Sequence, residues 1–233
     1  MNEKRSDDRP VTVAQVNYQR NAEVLREMNS QELFRYIFET NLWSASSASG
    51  SGSDLAQTSV LRERLPELLR RFQVRTLLDL PCGDFGWLSG VELGVDQYVG
   101  ADIVPELVAL NRGRYAGDGR RFLTLDLTAD ELPEADAVLC RDCLVHLSFA
   151  DIQRALRNLR RSGSRYLLTT TFADLARNSD IESGDWRPLN LCREPFNFPE
   201  PLDLILEGCT EEDGAYADKT LALWEIDRLP QSG

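Results

Sequence analysis

Lysine is almost missing from this chain of 233 residues: Lys4 and Lys219 are the two, against abundant arginine. The imbalance reads as a bias of the source genome, not as chemistry. Histidine occurs once, as His146, and acids outnumber lysine plus arginine by 38 to 26, giving a net charge of −12. That sign argues against sequence-independent binding of DNA or RNA, which relies on cations neutralising phosphates. The arginines at 154, 157, 160 and 161 fall at helical spacing and read as a solvated helix face. No apolar run is long enough to cross a bilayer, so no membrane partner is expected. The first ten residues are polar and lack the apolar centre of a signal peptide, which makes the expected location cytoplasmic. Five cysteines, 82, 140, 143, 192 and 209, are odd in number and irregularly spaced, so reduced thiols are expected instead of a disulfide framework. Cys140 and Cys143 form a lone C-x-x-C pair, open to a redox reading or to strand-end packing. With one histidine and no second pair, a closed zinc site lacks ligands and no metal is expected.

What is present is an alternation of periods. Residues 1–10 read as disordered, and helical spacing then runs from about Val11 to Phe38, with Ser30 a candidate cap for the second of two helices. Residues 41–53 form a Ser/Gly loop carrying Trp43, either a linker or a mobile lid. A helix is predicted over 54–72. Strands are predicted at 75–80, 97–101, 121–125, 135–140 and 165–171, with helices at 104–113 and 149–161 and a shorter one near 85–90. Such alternation predicts an α/β protein with a parallel sheet covered on both faces. A polar and aromatic stretch, 173–200, precedes strands at 202–207 and 220–226. The turn at Thr210–Gly214 suits a hairpin that adds antiparallel strands at one edge. The division is therefore a start, helical lid and loop over 1–53, then a binding domain over 54–233 with an insertion at 173–200.

Val74-Arg-Thr-Leu-Leu-Asp-Leu-Pro-Cys-Gly-Asp-Phe-Gly-Trp87 is the most informative segment. It reads as an apolar strand that ends in Asp79 and turns sharply at Pro81, Cys82 and Gly83. Tyr98-Val-Gly-Ala-Asp-Ile103 and Phe122-Leu-Thr-Leu-Asp-Leu127 end in Asp102 and Asp126. Ligands of open parallel sheets bind at carboxyl strand ends, and an acid after the second strand suits ribose hydroxyls, so a nucleoside cofactor is expected. Each acid alone could instead cap a helix or sit in an Asx turn.

In order and spacing these segments, with Ala135-Asp-Ala-Val-Leu-Cys-Arg-Asp-Cys-Leu-Val-His-Leu147, resemble a class I S-adenosylmethionine-dependent methyltransferase of the small-molecule type over about 74–172. The resemblance implies a Rossmann-like seven-stranded sheet, mostly parallel with a reversed strand in the C-terminal hairpin, and S-adenosyl-L-methionine as cofactor. It implies that Asp102 holds the ribose hydroxyls and that Asp126 faces the adenine amino group. The cofactor set is Asp79, Pro81, Cys82, Gly83, Asp102, Ile103, Asp126, Leu127 and Arg141. Two positions depart from the family pattern. Pro81 replaces the usual first glycine and Phe85 stands where the third commonly sits, leaving Gly83 as the flexible point, since proline cannot take positive φ. Phe85 and Trp87 pack beside the cofactor or under the sheet.

Methyl transfer to oxygen or nitrogen needs alignment, exclusion of water and a place for a proton. His146 is the candidate base, with a packing role as the alternative, and Asp142 could orient it or act on the acceptor. Trp43, Trp186, Arg187, Asn190 and Arg193 are candidate acceptor-binding residues, the arginines for a carboxylate or phosphate. The expected acceptor is a small polar molecule such as a sugar, acid or natural-product intermediate, and the chain is expected to be a monomer or homodimer. Rival readings are a methyltransferase acting on a protein, peptide or RNA and a non-catalytic cofactor-binding module. A nicotinamide oxidoreductase would call for a regular G-x-G-x-x-G, which the turn lacks.

Overall fold

A computed structural model describes residues 9–231 apart from 45, 46 and 48. Seven strands, β1 (Thr76–Asp79), β2 (Gln97–Asp102), β3 (Arg120–Thr124), β4 (Ala137–Cys140), β5 (Tyr166–Phe172), β6 (Asp203–Leu206) and β7 (Lys219–Glu225), form one sheet in the order β3-β2-β1-β4-β5-β7-β6. β1 to β5 run parallel, and β7 is antiparallel to both β5 and β6. The reversed strand is therefore β7 alone. β6 and β7 are joined by a longer connection over 207–218 instead of a tight turn at Thr210–Gly214.

The central strands are apolar on consecutive residues because both faces are covered. Successive side chains point to opposite faces. Leu78, Val138, Leu167, Ala222 and Trp224 meet Ile152, Ala155, Leu156 and Leu159 on one side. Leu77, Leu139, Leu168, Leu221 and Leu223 meet Leu61, Leu65, Leu68 and Leu69 on the other. Those partners belong to α5 (Phe149–Arg161) and α3 (Ser59–Arg71); α4 (Pro105–Tyr115) adds Val108 to the second layer. The helix expected from 54 begins only at Ser59. No helix forms over 85–90: Phe85 takes φ +57, and the residues after it make turns.

The N-terminal layer consists of α1 (Val13–Leu25) and α2 (Ser30–Thr40). Thr12 with Gln15 and Asn29 with Glu32 form capping boxes that satisfy the first backbone N–H groups. The cap of α2 is thus Asn29, with Ser30 its first residue. The pair packs through Tyr18, Leu25, Leu33, Ile37 and Leu42. It rests on the 173–200 insertion, where Tyr18 donates to the Ser183 carbonyl at 3.3 Å and Arg26 pairs with Glu182 at 2.9 Å. Gly184, at φ +98, fits beneath Leu33 and Tyr18 where a β-carbon would collide. Of the residues read as disordered, 1–8 lie outside the described set, whereas Arg9 and Pro10 are anchored. The Arg9 guanidinium donates to Asp218 at 2.8 Å, and Tyr216 donates to the Pro10 carbonyl at 2.7 Å.

Candidate active site

A cleft partly open to solvent lies over the carboxyl ends of β1, β2, β3 and β4. Its wall includes Asp79, Pro81, Cys82, Gly83, Asp102, Ile103, Asp126, Leu127 and Arg141, the whole cofactor set expected from the sequence. The parallel register causes this convergence: Asp79 lies opposite Gly100 and Leu139, so the first two strands deliver their acids to one rim.

Asp79 is buried and accepts the Tyr98 hydroxyl at 2.5 Å. Burial pushes its carboxyl up to about 7, against the lowering by that hydrogen bond. The Tyr98 phenol is driven upward too, by burial and by the neighbouring acid. Asp102 accepts the backbone N–H of Gly83 at 3.1 Å and of Val104 at 3.0 Å, and burial pushes it up to about 6. Asp126 closes an Asx turn by accepting Thr128 N–H at 2.7 Å while still lining the cleft. Cys82 is buried, and burial pushes its thiol well up. Gly83 takes φ +54, as its place in the turn requires, but Phe85 is left-handed as well, so the turn bends at two points. Phe85 packs in the core against Tyr98, Tyr115 and Phe122. Trp87 faces the cleft, with the Arg141 guanidinium 5.4 Å from its ring centre.

Asp142, His146 and Trp43 line the same cleft beside Arg141. Asp142 is not on a helix with His146; it takes φ +51 just after β4, and a short 3-10 turn begins at Leu144. Its carboxylate accepts Lys219 at 2.7 Å and lies 3.2 Å from Arg141. Although burial opposes charge there, the two cations hold Asp142 far below the usual carboxylate range, so it is not a proton acceptor. Arg141 also donates to Glu207 at 2.7 Å and to the Gly52 carbonyl at 2.8 Å. The His146 ring is stacked under Trp43 with centroids 4.5 Å apart and planes 25° apart. Its Nδ1 lies 2.9 Å from the Asp185 carbonyl. A carbonyl only accepts, so Nδ1 carries the proton and Nε2 keeps a lone pair. Burial lowers the imidazole to about 4, which keeps it neutral at physiological pH.

The Ser/Gly loop reaches from the turn after β1 to Asp142. Ser49 accepts the Asp84 N–H at 2.8 Å and sits where a side chain on Gly83 would go. Ser47 donates to Asp84 at 2.9 Å, and Gly52 presses against Asp142 and Lys219 with no room for a β-carbon. The described part of this segment is thus packed against the turn after β1 and against Asp142.

Four expected acceptor residues do not line the cleft. Trp186 packs edge-on against Phe172 and Tyr216. Arg187 is buried and donates to the carbonyls of Leu144 at 2.8 Å, Leu147 at 2.6 Å and Ser179 at 3.1 Å; burial lowers it to about 9. Asn190 donates to Ala173 and Leu175 carbonyls at 3.0 and 2.9 Å, and Arg193 is exposed. Arg187 and Asn190 spend their hydrogen bonds on fixing the insertion to the chain's own carbonyls. The residues that sequence reasoning missed are Tyr98, Glu207, Lys219 and the lid residues Phe34, Ile37 and Phe38. The scarcity of lysine was the available signal for Lys219. Cys140 and Cys143 are free thiols, and the Cys143 thiol is pushed well up by its neighbour Cys140 and by burial, which disfavours a ready thiolate. Among the described residues no group of side chains could hold a metal ion, and no helix is long and apolar enough to cross a membrane.

A family model described as a methyltransferase domain matches residues 78–164. No curated protein matches the sequence. Among solved structures, human N-acetylserotonin methyltransferase in complex with S-adenosylmethionine superposes with a TM-score of 0.59 at 14% identity, covering 89% of this chain and 65% of that one. The methyltransferase domain of bacterial CtHen1 superposes with a TM-score of 0.52 at 12% identity, covering 74% of this chain and all of the other. At such identities the likeness is one of fold.

Proposed function

We propose that the chain, whose residues 78–164 match a methyltransferase-domain model, is a class I S-adenosylmethionine-dependent methyltransferase that methylates an oxygen or nitrogen of a small molecule held between the sheet rim and the N-terminal helices. The observation that carries this reading is the cleft that Asp79, Asp102 and Asp126 share with His146 and Trp43. The donor set fits the cofactor: the buried carboxylates of Asp79 and Asp102 and the half-buried one of Asp126 suit ribose and adenine groups. When bound, S-adenosylmethionine supplies an electrophilic methyl group on a sulfonium, whose carbon–sulfur bond breaks as the new bond forms and leaves a neutral thioether.

The chain's own residues then have three tasks. Asp102 and Asp126 hold the nucleoside. The lid, through Trp43 and Ser49, excludes water from the reacting atoms. His146 Nε2 accepts the proton that the acceptor loses, and the fixed charge of Asp142 favours the imidazolium that results. The first experiment is calorimetric binding of S-adenosylmethionine against NAD. Tight binding of the former and none of the latter is expected; folded protein that binds no S-adenosylmethionine would sink the proposal. Transfer of a labelled methyl group to a small-molecule library is the second measurement.

A further inference from the structure

Asp79 is the acid of the cleft that follows β1, and the residue that governs it stands on the neighbouring strand. β1 and β2 run parallel, with Leu77 opposite Tyr98 and Asp79 opposite Gly100. Residues two apart on a strand share a face, so Tyr98 and Asp79 project to the same side of the sheet. Gly100 leaves the way between them open. A β-carbon there would lie 3.1 Å from the Tyr98 ring and 2.6 Å from that of Phe122. The Tyr98 ring packs against Phe85 and Phe122, with centroids 5.0 and 6.0 Å away. Its hydroxyl thus ends on Asp79 Oδ2 at 2.5 Å, and both residues are buried.

A hydrogen bond of this kind fixes the rotation of a carboxylate and favours its charged form. Burial pushes Asp79 up, and the Tyr98 hydroxyl is the leading influence against it; Asp102 adds to the rise and Arg141 opposes it. Burial, Asp79 and Cys82 drive the phenol upward against Arg120, so the proton stays on Tyr98 and the hydroxyl donates. Tyr98 is not part of the cleft wall, whereas Asp79 is.

Resting on the cofactor reading, we propose that Tyr98 is a positioning residue for the nucleoside cofactor: its hydroxyl takes Oδ2 of Asp79, holds that carboxylate charged and leaves Oδ1 to meet the ligand.

Two measurements on the full chain test this. The first needs no cofactor. Aspartate carboxyl carbons are isotope-labelled, Asp79 is assigned by its loss in Asp79→Asn, and its titration is followed by NMR, the other aspartate signals reporting that each variant is folded. In Tyr98→Phe the Asp79 midpoint is expected to rise by about one pH unit, the size of a hydrogen bond to a charged group. The second is calorimetric titration of S-adenosylhomocysteine between pH 6 and pH 9. Tyr98→Phe is expected to bind about fivefold more weakly than the parent at pH 7 and within about twofold of it at pH 9, where Asp79 is ionised in both. Tyr115→Phe removes a hydroxyl from the other tyrosine packed on Phe85 and is expected to leave both profiles unchanged. In the Asp79→Asn background, Tyr98→Phe should weaken binding no further. An unmoved Asp79 midpoint, or a loss of affinity equal at every pH, overturns the inference and leaves the cofactor reading standing. Failure of the folded parent chain to bind S-adenosylhomocysteine at any pH overturns the cofactor reading and the role of Tyr98 with it.

Discussion

Lys219 places its ammonium 2.7 Å from the Asp142 carboxylate, deep enough that the lysine is only 5% exposed. One of two lysines in the chain thus sits at the start of the reversed strand, facing the acid that follows β4. Glu207 lies 3.9 Å from the same ammonium, and Arg141 joins Glu207 to Asp142. Removing one partner of a buried ion pair leaves an uncompensated charge, which costs about 3–5 kcal/mol. Lys219→Met is expected to lose stability of that order in urea unfolding. The Lys219→Met, Asp142→Asn double variant should lose less than the sum of the single losses, because the two groups are coupled.

Cofactor affinity should fall with acidity. Asp79 and Asp102 sit at about 7 and about 6, and each accepts hydrogen bonds well only as a carboxylate. They are ionised above those values and protonated below them. Calorimetric titration of S-adenosylmethionine from pH 8 to pH 5 should therefore show affinity declining below about 7, steepening toward about tenfold per pH unit per protonating group. Asp102→Asn should bind weakly throughout and show a shallower decline.

Gly83→Ala should damage both fold and binding. The position has φ +54, and a methyl there would overlap Ser49. The backbone cost alone is about 1 kcal/mol, and the collision adds to it. Thermal unfolding should register the loss, and Ser49→Gly in the same chain should restore the part due to overlap while leaving the backbone part.

His146→Ala should lower turnover at saturating cofactor by roughly 10²-fold or more if the imidazole takes the proton. Its S-adenosylmethionine Kd should stay close to the parent value. Since burial holds His146 at about 4, it does not titrate between pH 5 and 8. The acid limb in kcat/KM therefore belongs to the cleft carboxylates and should persist in the variant. Turnover near the parent level would confine His146 to packing under Trp43.

The strands were readable because two covered faces demand consecutive apolar residues, and the acids that end β1, β2 and the third segment stand out against such runs. The helix expected at 149–161 coincides with α5, which the structure shows to be capped by Ser148. The 85–90 segment misled because its apolar spacing suits a helix, whereas the sharp turn after β1 requires left-handed backbone at Phe85. Trp186, Arg187 and Asn190 misled for a related reason. Residue type announces hydrogen-bonding capacity, but not whether a ligand or the chain's own carbonyls will use it.

The sequence by itself determined the α/β alternation and the order of the acids, set by periodicity and by strand ends. Tertiary structure decided what the cleft offers an acceptor. Lys219 and Asp142 are 77 residues apart, and Trp43 stacks on a histidine from beyond β4. Contacts between such distant segments follow from how layers pack and how β7 reverses, and no local pattern of residues encodes them.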